Sequence, residues 1–464
     1  MNNKFGKDLT EGSVPRNLIK FALPILVANI LMTGYSIINA IWVGRLLGGV
    51  AIGAVAASFP VSLTMVALSM GSTLATSILV SRNYGAKNYE AIQKIANVSI
   101  TIAAIMIVIV TVTGLFLSDW LLKILDTPSA LVGPASGYLK IMISGFGLMY
   151  LTFLIMSTLR GIGNSVTPLI FVAISTIINA ILDPLLIAGI GPFPEMRLNG
   201  AAIASLVASF CVLTSSMIYI GIKYKKMPII PSKFGFDVRL IFEIIKIGLP
   251  SFLQQMLLPI GYGFITYFVN KFGADATAAF GIASRVDSVA AMPAMAVMMS
   301  VSTLTAQSFG AKKLEKISDI LKWGLFINVP VTLILSSICI FFPKNLVSLF
   351  VNDSSILKIG IEYFQIVGFT YLLFIPFYVT NGIINGFGKT IVTMFISFGM
   401  LCLLRIPLVI LLVNMGLGLK GIWFSGMIAT AAGVLSSFIL YRFVFKQILK
   451  KMQLSNLSVD MVTD

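Results

Sequence analysis

About twelve apolar runs, each long enough to cross a bilayer, leave this chain few ways to fold. They lie at 18–43, 50–80, 93–116, 131–158, 165–191 and 198–221, then at 240–270, 277–307, 317–343, 357–386, 390–414 and 419–446. A helix needs roughly 20 residues, rising ~1.5 Å each, to span the hydrocarbon. Lipid offers the backbone no hydrogen bonds, so uniformly apolar runs of this length read as helices. The expectation is an all-α polytopic membrane protein of about 12 transmembrane helices in two pseudo-symmetric six-helix bundles. Residues 1–222 form an N-lobe of helices 1–6, and 223–239 a basic cytoplasmic linker holding Pro228 and Pro231. Residues 240–464 form a C-lobe of helices 7–12 with a cytoplasmic tail.

The chain is 58% hydrophobic yet carries a net charge of +16, and the position of that charge decides its meaning. The cations cluster in alternate short loops: Arg82 and Lys87; Arg160; Lys223, Lys225, Lys226, Lys233 and Arg239; Lys312, Lys313 and Lys316; Lys389. The tail adds Lys446, Lys450 and Lys451. This is the pattern of cytoplasmic loops, not of a nucleic-acid-binding surface, and it places both termini in the cytoplasm of a cell-membrane protein. Cys211, Cys339 and Cys402 sit apart in apolar runs and read as small buried hydrophobes. With no histidine, the commonest general base and metal ligand is missing. The polar N-terminus lacks the short apolar core and small-residue cleavage site of a signal peptide.

The chain also repeats itself. Arg82-Asn83-Tyr84-Gly85-Ala86-Lys87 returns 225 residues later as Gln307-Ser308-Phe309-Gly310-Ala311-Lys312. Gly161-Ile162-Gly163 returns at the same offset of 225 as Gly386-Phe387-Gly388, and Leu23-Pro24 reappears as Leu249-Pro250. A duplication at nearly one offset points to two like-oriented halves related by an axis along the membrane normal, the plan of a two-lobed transporter.

The fifth span carries an acid in its interior. In Ser165–Ile190, Asp183 follows Asn179 and Ser175 at spacings of four, which puts all three side chains on one helical face. An intramembrane aspartate costs about 2.5–3.5 kcal/mol and usually faces a bundle interior or a watery cavity. Pro184 beside it removes a helical hydrogen bond and introduces a kink. Such a stripe suits a bound proton or ion; the alternative is a structural aspartate bonded to a neighbouring helix.

Together these residues resemble the multidrug and toxic compound extrusion (MATE) transporters. The resemblance rests on Leu23-Pro24, Ile41-Trp42-Val43-Gly44-Arg45, the duplicated Tyr/Phe-Gly-Ala-Lys loops, Leu159-Arg160-Gly161-Ile162-Gly163-Asn164 and Asn179…Asp183-Pro184. It runs over residues 10–450 and implies cation-coupled multidrug export of amphipathic, often cationic, compounds by alternating access. Within the family the DinF-like branch is most similar. There Asp183 and Asn179 match the N-lobe acid and amide where H+ or Na+ binds, and Tyr35 and Tyr138 match cavity tyrosines. Many relatives carry an acid in the first span, whereas this chain reads Ile38-Asn39-Ala40. The C-lobe acid pair of the NorM-like branch is replaced by Gln254-Gln255 and Phe374-Ile375-Pro376. Coupling is therefore expected through Asp183.

Flanked by Asn179 and Asn39, Asp183 can hold a proton, because burial disfavours its charge. Alternatively it holds Na+ with amide and hydroxyl oxygens, Ser205 and Tyr35 contributing. No cofactor besides the coupling H+ or Na+ is expected, and nothing calls for an oligomer, so the expectation is a monomer in contact with membrane lipid. The candidate substrate cavity comprises Tyr138, Ser175, Gln254, Gln255, Tyr262 and Met292, with Tyr267, Gln365, Tyr378 and Asn381 able to make the C-lobe polar. Aromatic faces and one acid suit a lipophilic cation. Arg285 and Asp287, two residues apart, point to different helical faces and read as structural partners of other helices. Arg405, ahead of Pro407, reads as a satisfied structural or interfacial cation. An integral-membrane enzyme would need clustered aspartates for Mg²⁺ or histidines for zinc, and neither is present. The rival is a lipid or lipid-linked oligosaccharide flippase of the same plan, which would present several cations to a pyrophosphate.

Overall fold

The computed structural model describes residues 6–224, 234–351 and 353–463, without the side chains of 451 and 455–463. Residues 225–233, most of the linker placed at 223–239, lie outside the described residues. The helices of the first half are α1 (Val14–Leu47), α2 (Gly49–Gly85), α3 (Tyr89–Ile124), α4 (Ser129–Ser144), α5 (Phe146–Gly161), α6 (Val166–Ala188) and α7 (Arg197–Lys223). The second half has α8 (Val238–Asn270), α9 (Ala274–Gly310), α10 (Lys316–Phe341), the short α11 (Pro343–Ser348), α12 (Ser354–Val367) and α13 (Thr370–Gly386). There follow α14 (Thr390–Phe398), α15 (Ile406–Leu412) and α16 (Gly418–Thr463), with π-helical turns at Gly399–Arg405 and Val413–Leu417.

Among the described residues, nine helical runs are long and apolar enough to cross a membrane. Two more crossings are broken: α4 meets α5 at 45° and α12 meets α13 at 46°. The 131–158 and 357–386 runs are thus each two helices rather than one, bent at Gly145 and Gly368. The 65-residue run Thr390–Leu454 turns back at Gly416, where φ is 86°, and α16 packs against α15 and the π turn before it. Counted as two crossings, that run brings the number to the twelve expected. The duplication also reaches the backbone. Lys87 and Lys312 adopt φ of 58° and 57°, and Gly163 and Gly388 adopt 84° and 74°.

Many hydroxyl side chains inside the helices are satisfied within their own turn. Ser58, Ser69 and Thr73 donate to the carbonyls of Ala54, Met65 and Ser69 at 2.9, 2.9 and 2.8 Å, which lets polar residues sit in apolar surroundings. Small residues bring helices close: a Cβ on Gly382 of α13 would lie 2.7 Å from the Met298 carbonyl oxygen of α9.

Contacts gather the chain into two units. One holds Leu23–Phe252 with the described residues before Leu9; the other holds Leu9–Ala22 and the chain from Leu253. The division falls inside α8 instead of at the 223–239 linker. The start of α8 packs on α2, where Arg82 pairs with Glu243 at 3.5 Å and a Cβ on Gly71 would lie 2.7 Å from Phe252 Cβ. Residues 9–22 join the second unit because the Leu9 N–H donates to Gln307 Oε1 at 2.9 Å and Lys316 donates to the Thr10 carbonyl.

The start of α12 provides a test of local stability. Asp353 Oδ1 accepts from the N–H groups of Ser355 and Ile356 at 2.8 and 3.2 Å, satisfying two donors the helix leaves open. Asp353→Ala is expected to lower stability by about 0.5–2 kcal/mol. Denaturant unfolding in detergent checks this, with Asp353→Asn close to wild type because it keeps the acceptor.

Candidate functional site

The 3.6-residue period puts Ser175, Asn179 and Asp183 on one face of α6, which packs against α7. Asp183 is fully buried and Asn179 nearly so, at 0% and 5% exposure. From α1, Asn39 Nδ2 donates to Asp183 Oδ2 at 2.8 Å and approaches the Tyr35 hydroxyl at 3.4 Å. That hydroxyl lies 3.3 Å from Ser205 Oγ of α7. Asn179 turns its amide nitrogen to its own helix, donating to the Ser175 carbonyl at 2.9 Å. Two oxygens are left over: Asp183 Oδ1 and Asn179 Oδ1 are both buried without a hydrogen-bond partner. Among the described residues no Lys or Arg lies within ion-pair distance of Asp183. The first unit therefore links Tyr35, Asn39, Asp183 and Ser205 through polar contacts, with Asn179 and Ser175 on the preceding turns of α6. Tyr138 of α4 interacts electrostatically with Asp183 from the packed edge of the Phe146–Tyr150 core.

A buried anion without a cation is chemically incomplete. It is stabilised by a proton, or by a cation that also draws on the Asn179 oxygen. No group of three His, Cys, Asp or Glu able to hold a metal occurs among the described residues, so any ion here would rely on one carboxylate and neutral oxygens.

The remaining candidates belong to the second unit. Gln254 is held to α14, its Nε2 donating to Ser397 Oγ at 3.0 Å and its Oε1 accepting from Thr393 at 3.2 Å. Gln255 and Met292 are half-buried, and Tyr262 is exposed and rests against Phe280, with ring centroids 6.4 Å apart. Asn381 is buried with both amide atoms unpartnered.

A second acidic cluster appears where the sequence suggested structural pairing. Asp287 of α9 accepts from Tyr363 of α12 at 2.5 Å and from Tyr371 of α13 at 2.6 Å. Arg285 instead points outward and is exposed. Neither tyrosine stood out in the sequence. The signal was present as two tyrosines in one apolar run, but the bend at Gly368 hid their shared direction. Arg405, read as satisfied, has a buried Nε with no partner.

The sequence matches the MatE family over residues 24–185 and 250–411, one match in each half. The chain belongs to the MatE family. It is 27% identical to "Probable multidrug resistance protein YoeA" of Bacillus subtilis, over 94% of this chain and 95% of that protein. It is 25% identical to "Multidrug export protein MepA" of Staphylococcus aureus, over 91% and 92%. The fold is that of a solved structure described as the outward-facing conformation of a multidrug resistance MATE family transporter. The two share a TM-score of 0.89 at 22% identity, covering 96% of this chain and 99% of that one. This MatE chain is thus a multi-pass membrane protein with the transporter fold.

Proposed function

We propose that the protein is a secondary multidrug efflux transporter that exchanges protons for amphipathic, often cationic, organic compounds, with Asp183 as the coupling group. The observation that carries this reading is the buried Asp183 carboxylate, with one oxygen held by Asn39, the other unpartnered, and, among the described residues, no cation within ion-pair distance. In the apolar bundle that group is most stable neutral. A proton arriving from outside neutralises it, and releasing the proton inside restores an anion able to attract a cationic cargo. Exchange follows if the two states of the carboxylate favour different access states, since a ligand shifts an equilibrium only by its differential affinity. The relatives' multidrug names support the cargo class. The basic loops support cytoplasmic termini.

The test is efflux of a fluorescent lipophilic cation from proteoliposomes, with proton and Na+ gradients imposed separately. Proton-driven efflux without Na+ is the expected result. Efflux that follows Na+ alone would overturn proton coupling and make Asp183 Oδ1 and Asn179 Oδ1 the ion's oxygens. Efflux independent of both gradients would overturn antiport and favour a flippase.

A further inference from the structure

Where α6 begins and α7 ends, side chains of the first unit form one hydrogen-bonded cluster with more donors than acceptors. Asn164, in the turn before α6, accepts from the Thr167 N–H at 3.1 Å. Its Nδ2 donates to Thr167 Oγ1 at 2.8 Å and to the Tyr224 hydroxyl at 3.2 Å. Thr167 Oγ1 lies 3.1 Å from the Tyr219 hydroxyl, which also accepts from Lys223 Nζ at 2.5 Å. Whichever of Thr167 and Tyr219 donates to the other, one of their hydroxyl hydrogens finds no acceptor among the described residues. The Tyr224 hydroxyl hydrogen and the remaining hydrogens of the Lys223 ammonium are left over as well. No Asp or Glu among the described residues lies within ion-pair distance of Lys223.

Aromatic rings fix the ammonium in place. Lys223 Nζ lies 4.9 Å from the Tyr219 ring centroid and 6.0 Å from that of Tyr224. Phe171 in turn meets Tyr219 edge-on, with centroids 5.9 Å apart. The same two helices present apolar side chains outward. Val166 and Ile170 on α6 are 52% and 50% exposed, and Ile218 and Ile222 on α7 are 58% and 77% exposed. In the sequence, Lys225 and Lys226 follow directly. The cluster is no part of the duplicated plan, because at the 225-residue offset Val392 stands in place of Thr167.

We propose that this cluster binds the phosphate of an anionic phospholipid, with Lys223 and the Tyr219–Thr167 hydroxyl pair as its donors. A phosphodiester accepts through its charged oxygens and donates nothing, which matches a cationic set with spare donors. The exposed apolar side chains on α6 and α7 favour a lipid over a free phosphate, since they suit acyl chains while the headgroup reaches Lys223. With the orientation proposed above, the lipid comes from the cytoplasmic leaflet. It bridges the start of α6, the helix that carries Asp183, to the end of α7. The site neither needs nor alters the efflux reading.

The experiment is equilibrium binding of tail-labelled phosphatidylglycerol and phosphatidylcholine, with identical chains, to purified full-length protein in detergent. Wild type is expected to hold phosphatidylglycerol more tightly, with glycerol 3-phosphate displacing neither lipid. Lys223→Gln is expected to weaken phosphatidylglycerol about fivefold, the worth of one cation near an anionic headgroup. Tyr219→Phe, which keeps the ring and loses the hydroxyl, is expected to weaken it about twofold to tenfold. Lys389→Gln, which removes an exposed cation from the corresponding turn of the second half, is expected to change nothing. Unchanged phosphatidylcholine binding shows that each variant is folded. Equal losses in Lys223→Gln and Lys389→Gln would overturn the site in favour of diffuse attraction to a basic face. Equal affinity of wild type for the two lipids would overturn it outright. Displacement by glycerol 3-phosphate would overturn the lipid and make the ligand a free phosphate. No loss in either Lys223→Gln or Tyr219→Phe would leave the cluster a cap on the end of α7.

Discussion

Asp183→Asn is expected to reduce gradient-driven efflux to the leak of protein-free vesicles while leaving cargo binding measurable. The substitution nearly conserves shape, and its amide oxygen can still accept the hydrogen bond that Asn39 makes to Oδ2 at 2.8 Å. What it removes is the ability to be anionic in one state and neutral in another. Without that difference the two access states no longer exchange a proton for a cation, whatever their structures. The measurement is proton-driven efflux in proteoliposomes beside equilibrium binding of the same dye in detergent. Wild-type efflux by the variant would remove Asp183 from coupling. Loss of binding and efflux together would make it a structural acid, since Asn39 would then be left facing a disturbed site.

The second large effect concerns stability. Gly163→Ala is expected to destabilise the first unit by more than about 2 kcal/mol, combining left-handed strain with a backbone clash. Gly163 adopts φ of 84°, and a Cβ there would lie 2.1 Å from the Lys7 carbonyl oxygen. The obstacle is main chain, not a side chain that can rotate away, because the Lys7 N–H donates to the Ile162 carbonyl at 3.0 Å and holds the strands of chain together. The N-terminal segment must therefore detach, or the turn between α5 and α6 must reshape. Thermal unfolding in detergent, with limited proteolysis ahead of Leu9, measures both. Wild-type stability with an intact N-terminus would show that the close approach is dispensable.

Several features follow from the order of residues alone. The apolar runs are set by length, because a bilayer of fixed thickness demands it. The duplication shows in motifs 225 residues apart, and the folded backbone repeats it at Lys87 and Lys312. The shared face of Ser175, Asn179 and Asp183 follows from the helical period, which relates neighbours on one helix without reference to any other.

Contacts between helices were decided elsewhere. Only packing of α1 on α6 brings the Asn39 amide nitrogen onto Asp183, 144 residues away in the chain. Asn179, read as an amide beside the carboxylate, donates its nitrogen to the Ser175 carbonyl and keeps its oxygen without a partner, a choice the sequence did not specify. The Asp287–Tyr363–Tyr371 cluster needs the 46° break between α12 and α13, and the free guanidinium of Arg405 needs a π turn. Bends and π turns arise where a glycine or proline weakens the helix and neighbouring helices select the deviation. Sequence periodicity therefore determined which residues share a helical face in this protein, while the angles between helices, set by packing, decided which faces meet.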